Sequence, residues 1–277
     1  APRGGAGVVG VVEARVLVNA AGPWAGDLLA GRIPSHSQSR VRLVKGGHIV
    51  VRRIFEHDRA YIFQNADRRI MFAIPYEGDF TLIGTTDVDY QGDPGDVAID
   101  SDEISYLAAA ASAYFVKPIA PADVVWSYAG VRPLVDEGGV SAQEATRDFV
   151  LELEGSAGEP ALLSVLGGKI TTFRHLAEVA MQKLAPYLGT MGPPWTHRAP
   201  LPGGDFPVDG FETLVDLIAG ASPAVERPLV RRLVRAYGTV AAGLLAGVSS
   251  KTDLGHHFGA GLHEREVRHL VANEWAR

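Results

Sequence analysis

The stretch Leu166-Gly167-Gly168-Lys169-Ile170-Thr171-Thr172-Phe173 most constrains what this chain can fold into. Ala161 to Leu166 is a short apolar run that reads as a strand, and Thr171 to about Leu184 reads as an amphipathic helix. Two glycines between them let backbone N–H groups approach a ligand closely. The helix start aims its unpaired donors and positive dipole end at the same place. Lys169 adds a mobile cation. Such a corner suits a phosphate or an anionic, delocalised ring. A plain glycine turn ahead of a surface helix is the competing reading.

The chain has 277 residues, enough for two or three lobes around sizeable cores. Its net charge of −6 argues against nucleic acid as a partner. The arginine pairs Arg52-Arg53, Arg68-Arg69 and Arg231-Arg232 are isolated and read as solvated. Without cysteine there is no disulfide, thiolate nucleophile or cysteine metal site. No apolar run approaches the roughly 18 residues that span a bilayer. The chain lacks an initiator Met, Ala1 opens inside a Gly-rich turn, and Glu264 to Arg277 reads as a helix without a cap. The expectation is a piece of a longer protein.

Val8 to Ala20 reads as strands leading into the Ala21-Gly22-Pro23-Trp24 turn, with a helix at Ala25 to Ala30. Val41 to Val51, Tyr61 to Phe63, Arg69 to Ile74, Phe80 to Ile83 and Val124 to Tyr128 are strands of a mostly antiparallel sheet. In the third of these, Ile70, Phe72 and Ile74 alternate with Arg69, Met71 and Ala73. Asp100 and Glu103 form a capping-box pair before a helix whose stripe is Ile104, Leu107, Ala108, Ala111 and Phe115. Phe149 to Leu153 is a strand, and Gly192 to Asp205 a linker. Three helical stripes follow: Phe211, Leu214, Val215, Ile218; Val230, Leu233, Val234, Tyr237; and Val267, Leu270, Val271, Trp275.

Several motifs fail on context. Gly5-Ala6-Gly7-Val8-Val9-Gly10 matches G-x-G-x-x-G, but no strand precedes it and β-branched residues follow, so a hairpin turn is expected. Asp87 to Asp93 resembles the start of a calcium loop, but its twelfth position is Ala98. His256, His257, His263 and His269 lack the spacing of a zinc site, and no metal is expected. The G-x-S-x-G elbow of serine hydrolases is absent.

Other segments form an ordered set with the glycine-lysine corner. They are Val18 to Trp24, Lys45-Gly46-Gly47-His48-Ile49-Val50-Val51, Ile83-Gly84-Thr85-Thr86-Asp87, Trp126 to Leu134 with its Gly-Val-Arg-Pro core, the Arg147-Asp148 pair, and Leu201-Pro202-Gly203-Gly204. Over essentially all 277 residues this set resembles the FAD-dependent, quinone-linked (aerobic) glycerol-3-phosphate dehydrogenases. The resemblance implies an α+β fold: a partial FAD/NAD(P)-binding-type domain, an antiparallel-sheet substrate lobe (D-amino-acid-oxidase-like) and a C-terminal all-α domain. Residues 1–24 and 160–190 would be remnants of the FAD domain, 25–159 the substrate lobe, 191–205 the linker and 206–277 a truncated helical domain. The adenosine-binding unit with which the family begins has no counterpart in proper context here, nor does the family's extreme C-terminus.

The resemblance implies FAD as cofactor, glycerol 3-phosphate as substrate and a quinone as electron acceptor. It places the parent protein in the cytoplasm, peripheral on the inner face of the cell membrane, and admits a homodimer. Arg132 becomes the substrate-binding arginine, since a guanidinium clamps a phosphate or polarises a ketone-like oxygen; a bridge to Asp136 or Glu137 is the alternative. Lys169 would reach the substrate phosphate or the flavin's pyrimidine edge, where a cation stabilises the reduced ring. On the family match alone, His48 would take the hydroxyl proton while hydride leaves carbon. Ala21, Gly22, Trp24, Gly167, Gly168, Lys169, Ile170 and Thr171 are the expected cofactor contacts. Gly84 to Asp87 is expected only to shape a turn. Two alternatives stay open: a glycerol-3-phosphate oxidase or another flavin amine or amino-acid oxidoreductase of the same fold, and an inactive substrate or cap module.

Overall fold

The computed structural model describes residues 11–37, 39–136, 147–156, 158–274 and 276. The Gly5–Gly10 turn, Glu137 and Trp275 lie outside them. Contacts divide the chain into two units, 1–192 and 193–277.

The first unit runs β1 (Val16–Asn19), α1 (Ala25–Gly31), β2 (Val41–Arg52), β3 (Tyr61–Gln64), β4 (Ile70–Tyr76), β5 (Phe80–Gly84), β6 (Val88–Asp89), α2 (Ser101–Ser112), β7 (Val124–Val135), β8 (Phe149–Glu154), β9 (Ala161–Gly167) and α3 (Phe173–Leu188). Among the described residues of the expected N-terminal strand region, Val16–Asn19 is the strand, because there β9 supplies a partner, Val16 facing Ala161 and Asn19 facing Ser164 in parallel. β8 runs antiparallel to β9, Phe149 opposite Gly167, so β1, β9 and β8 form a separate three-stranded sheet.

The remaining strands build an antiparallel sheet around β2. One edge of β2 pairs with β5 and, further back, with β6; the other pairs with β7 along nearly its whole length. β4 and β3 continue outward from β5. α2 covers one face. Asp100 accepts from the Glu103 N–H, and the Glu103 side chain accepts from the Asp100 N–H, completing the expected capping box. Leu107, Ala108 and Ala111 of α2 are fully buried against Ile49, Val51, Met71, Ala73 and Ile83. Each large apolar side chain there contributes about 1.5–3 kcal/mol. The inward residues of β4 are therefore Met71 and Ala73, while Ile70 is half exposed. This reverses the face suggested by the Ile70-Phe72-Ile74 alternation: small and flexible side chains fit beneath the helix.

The second unit holds α4 (Phe211–Ala221), α5 (Arg227–Tyr237), α6 (Val240–Leu245), a hairpin of β10 (His257–Gly259) and β11 (Leu262–His263), and α7 (Glu264–Asn273). Leu214, Val215, Ile218, Val230, Leu233 and Val234 form its core, as their helical spacing predicts. α7 differs from its predicted stripe. Val271 is exposed and Glu266 is buried, held by Arg232 and the Tyr237 hydroxyl. Among the described residues no helix is long and apolar enough to cross a membrane, and no cluster of three or more His, Asp or Glu could hold a metal.

Candidate active site

Alternation along β2 sends Lys45 towards α2, and Gly46 and His48 to the opposite face. Register places Arg132 of β7 opposite Val44, Gly130 opposite Gly46, and Tyr128 opposite His48; on the other side Gly84 of β5 also faces His48. The absence of side chains at 46, 84 and 130 clears this face. The His48 ring fills the space over Gly84, where a β-carbon would collide with it. It stacks on Tyr128 with centroids 4.8 Å apart and planes 3° from parallel. The His48 Nδ1 is buried and has no hydrogen-bond partner among the described residues. Burial, and then the charge of Arg132, push the imidazole below its ordinary pKa, which favours the neutral form that can take a proton.

Arg132 leans over Gly46: a β-carbon there would lie 2.6 Å from Nη1 and 2.7 Å from Nη2. Nη1 donates to Asp87 Oδ1 at 2.8 Å and Nη2 to Thr85 Oγ1 at 3.0 Å. Asp87 is the carboxylate seen against Arg132; Glu137, half of the expected alternative, lies outside the described residues. Arg147 Nη2 reaches the same Asp87 oxygen at 3.6 Å. Burial lowers the Arg132 pKa, Asp87 offsets part of that, and Arg147 lowers it further. Two arginines therefore share one largely buried carboxylate.

Thr86 fixes the turn that presents Thr85 and Asp87. Its hydroxyl accepts from the Gly47 N–H at 2.7 Å and donates to Glu103 at 2.6 Å, and its own N–H donates to the Gly47 carbonyl at 3.3 Å. Lys45 pairs with Glu103 at 2.6 Å and with Asp100 at 3.0 Å. Burial pulls the Lys45 ammonium down, and these hydrogen bonds more than offset it, leaving its pKa raised.

The expected cofactor contacts gather at the carboxyl ends of the parallel pair β1 and β9. After β1, Gly22 takes φ +57° in a 3-10 turn, Gly22–Trp24, that lies against β7 and β9. Asn19 ties this turn: its Oδ1 accepts from the Ala21 N–H and its Nδ2 donates to the Ala25 carbonyl. After β9, Gly167 and Gly168 take φ +71° and +90°. A β-carbon at Gly167 would stand 2.7 Å from the Asp148 carbonyl oxygen, which also accepts from the Gly168 N–H at 3.2 Å. Arg147 and Asp148 thus link this corner to Asp87. A 3-10 turn, Ile170–Thr172, leads into α3, and the Ile170 and Thr171 N–H groups have no acceptor among the described residues. Lys169 is exposed and forms no hydrogen bond or ion pair with His48 or Arg132 through its side chain.

His48 and Arg132 are therefore brought together on one sheet face, and Gly22, Trp24 and Gly167 to Thr171 at one end of the parallel pair. Sequence reading missed Asp87 as the common partner of two arginines, and Gly46 as the seat of one. Only the tertiary pairing of β2 with β7 reveals either.

The FAD dependent oxidoreductase (DAO) family model matches residues 1–174. The chain is 47% identical over 266 residues to a glycerol-3-phosphate dehydrogenase of Pseudomonas aeruginosa, covering 96% of this chain and 52% of that protein. It is 46% identical to a D-erythritol 1-phosphate dehydrogenase of Brucella abortus, covering 96% and 53%, and 43% identical to the aerobic glycerol-3-phosphate dehydrogenase of Escherichia coli, covering 96% and 53%. The structure of a Bacillus halodurans glycerol-3-phosphate dehydrogenase complexed with FAD superposes with a TM-score of 0.69 at 33% identity, over 82% of this chain and 44% of that one. The chain spans about half the length of the curated relatives it matches. With the matched model covering well over half of its residues, the chain belongs to the FAD-dependent oxidoreductase (DAO) family.

Proposed function

We propose that this chain supplies the substrate side of an FAD-dependent oxidation of sn-glycerol 3-phosphate to dihydroxyacetone phosphate. The observation that carries the reading is a half-buried histidine, its pKa lowered by burial and by Arg132, beside a guanidinium on a sheet face cleared by glycines. The residues present fit a flavin. The Ile170 and Thr171 N–H groups have no acceptor among the described residues, Lys169 is the exposed residue just before them, and Ile170 and Phe173 leave apolar surface exposed at the same corner. Ala21, Gly22, Trp24 and Gly167 to Thr171 would hold it. When bound, the flavin supplies the hydride acceptor.

His48 takes the proton of the substrate hydroxyl as the carbinol carbon is oxidised. Arg132 and Arg147 bind the phosphate or the oxygen that becomes the ketone, two donors at a time. Lys169 stabilises negative charge at the cofactor edge. A quinone at the inner face of the cell membrane is the proposed acceptor, supported by the relative named as aerobic. The boundary between units at residues 192 and 193 supports setting the linker at 191–205 and the helical domain at 206–277 apart from the rest, while 1–24, 25–159 and 160–190 fall within one unit.

The near-equal identity to a D-erythritol 1-phosphate dehydrogenase favours a second reading, a longer polyol phosphate at the same site. Anaerobic titration of the flavin-loaded natural protein tests both. Loss of the oxidised flavin band with glycerol 3-phosphate supports the first reading. Loss only with D-erythritol 1-phosphate replaces it with the second, and loss with neither overturns both.

A further inference from the structure

Asp87 lies in a turn from which only a structural part was expected, yet it touches both site arginines. Its Oδ1 receives Arg132 Nη1 at 2.8 Å and lies 3.6 Å from Arg147 Nη2. Its side chain is only 9% exposed, so the charge is screened little by water. The other side of the Arg132 guanidinium meets Thr85 Oγ1, and its two terminal nitrogens crowd the space over Gly46. Between Thr85 and Asp87, Thr86 points the opposite way and is pinned to β2 and to Glu103 of α2. The turn is thus a rigid bracket, anchored through its middle residue and gripping a guanidinium with the residues on either side.

We propose that Asp87 is a positioning residue that fixes the direction of Arg132 and Arg147 so that their remaining donors converge on one substrate anion. The role rests on the reading of these arginines as substrate-binding. An unheld arginine must give up side-chain freedom each time an anion binds, whereas a bracketed one has given it up on folding. A carboxylate also keeps two like charges close together while no anion is present.

Simple Coulomb attraction predicts the opposite effect of removing Asp87. Losing a negative charge beside two arginines strengthens the cationic field and should tighten anion binding. The sign therefore separates positioning from mere charge balance. The flavin-loaded natural protein is compared with Asp87→Asn and Asp87→Glu by flavin content, melting temperature, kcat and KM for glycerol 3-phosphate, and the rate at which phenylglyoxal modifies Arg132, read by peptide mass spectrometry without substrate.

The expected result is retained flavin, a KM raised about tenfold or more in Asp87→Asn with a smaller change in kcat, and several-fold faster modification of Arg132. Asp87→Glu, which keeps the charge, should fall between the two and serves if the Asn variant does not fold. A KM that falls or stays the same overturns the proposal, as does unchanged modification of Arg132. If the unaltered protein is not reduced by glycerol 3-phosphate, the functional reading fails separately, and the substrate-free modification rate alone judges Asp87.

Discussion

The guanidinium of Arg132 lies across the Cα of Gly46, in the space a side chain would occupy: an added β-carbon would come within 2.6 Å of Nη1. Gly46 has no positive φ to justify it and sits inside a strand, where glycine is normally a weakness. It is there because another residue needs the volume. Gly46→Ala should push Arg132 away from Thr85 and Asp87, raising KM for the phosphate substrate about tenfold and costing about 1–3 kcal/mol of stability from overpacking. Steady-state kinetics and urea unfolding read the two effects. An unchanged KM would show that the guanidinium re-seats itself without loss.

His48 predicts a pH dependence with a definite sign. Burial and Arg132 disfavour its protonated form in the folded protein, so its folded pKa lies below the ordinary value of about 6.5. If the neutral ring is the base, kcat/KM rises with pH through that lowered pKa and is level by neutrality. His48→Gln should lower kcat by about 100-fold or more and abolish this limb of the profile. The same shift acts on stability. The unfolded chain binds the proton first, so the stability His48 contributes is present above about pH 6.5 and is lost as pH falls through the folded pKa. Thermal melts of His48→Gln should accordingly lose less stability between pH 7 and 5 than those of the unaltered protein.

Much of the framework was legible in the chain because it is written locally. The Asp100–Glu103 capping box, the strand-glycine-helix corner at Gly167 and Gly168, and the stripes of α4 and α5 depend on neighbours within a few residues. The candidate roles of His48 and Arg132 rest on family resemblance, since no local pattern distinguishes these two from structural residues. What stayed hidden depends on long-range pairing. Asp87 meets Arg132 across 45 positions, and Glu266 faces inward only because Arg232 and Tyr237 arrive from another helix. The inward face of β4 is hidden for a related reason: alternation shows two faces, and the packed helix decides which is buried.

Lys45 and Glu103 form a buried ion pair behind the site, 2.6 Å apart. Glu103 also accepts the Thr86 hydroxyl, so the pair supports the turn that carries Asp87. Lys45→Met leaves Glu103 buried without its cation and should cost about 3–5 kcal/mol. Replacing both, with Glu103→Leu added, should recover much of that stability. Denaturant unfolding of the single and double variants measures the difference. The double variant should nevertheless show a raised KM, because Thr86 has lost its acceptor on α2. A normal KM would mean that Gly47 alone holds the turn.

Gly167 offers the sharpest separation of backbone from side-chain effects. Its φ of +71° disfavours any other residue, and a β-carbon would stand 2.7 Å from the Asp148 carbonyl oxygen, a backbone atom that cannot rotate away. Gly167→Ala should therefore shift the corner and cost about 1–2 kcal/mol, although no side chain is removed. Because the Ile170 and Thr171 N–H groups are aimed by this corner, flavin retention after gel filtration should fall with it. Lys169→Met leaves the corner's backbone intact and removes only the cation. It should keep the melting temperature, weaken flavin or substrate binding, and lower kcat more than Gly167→Ala lowers it per molecule of flavin retained. If Lys169→Met is indistinguishable from the unaltered protein in both binding and turnover, the ammonium has no part in the site, and the corner acts through its backbone donors alone.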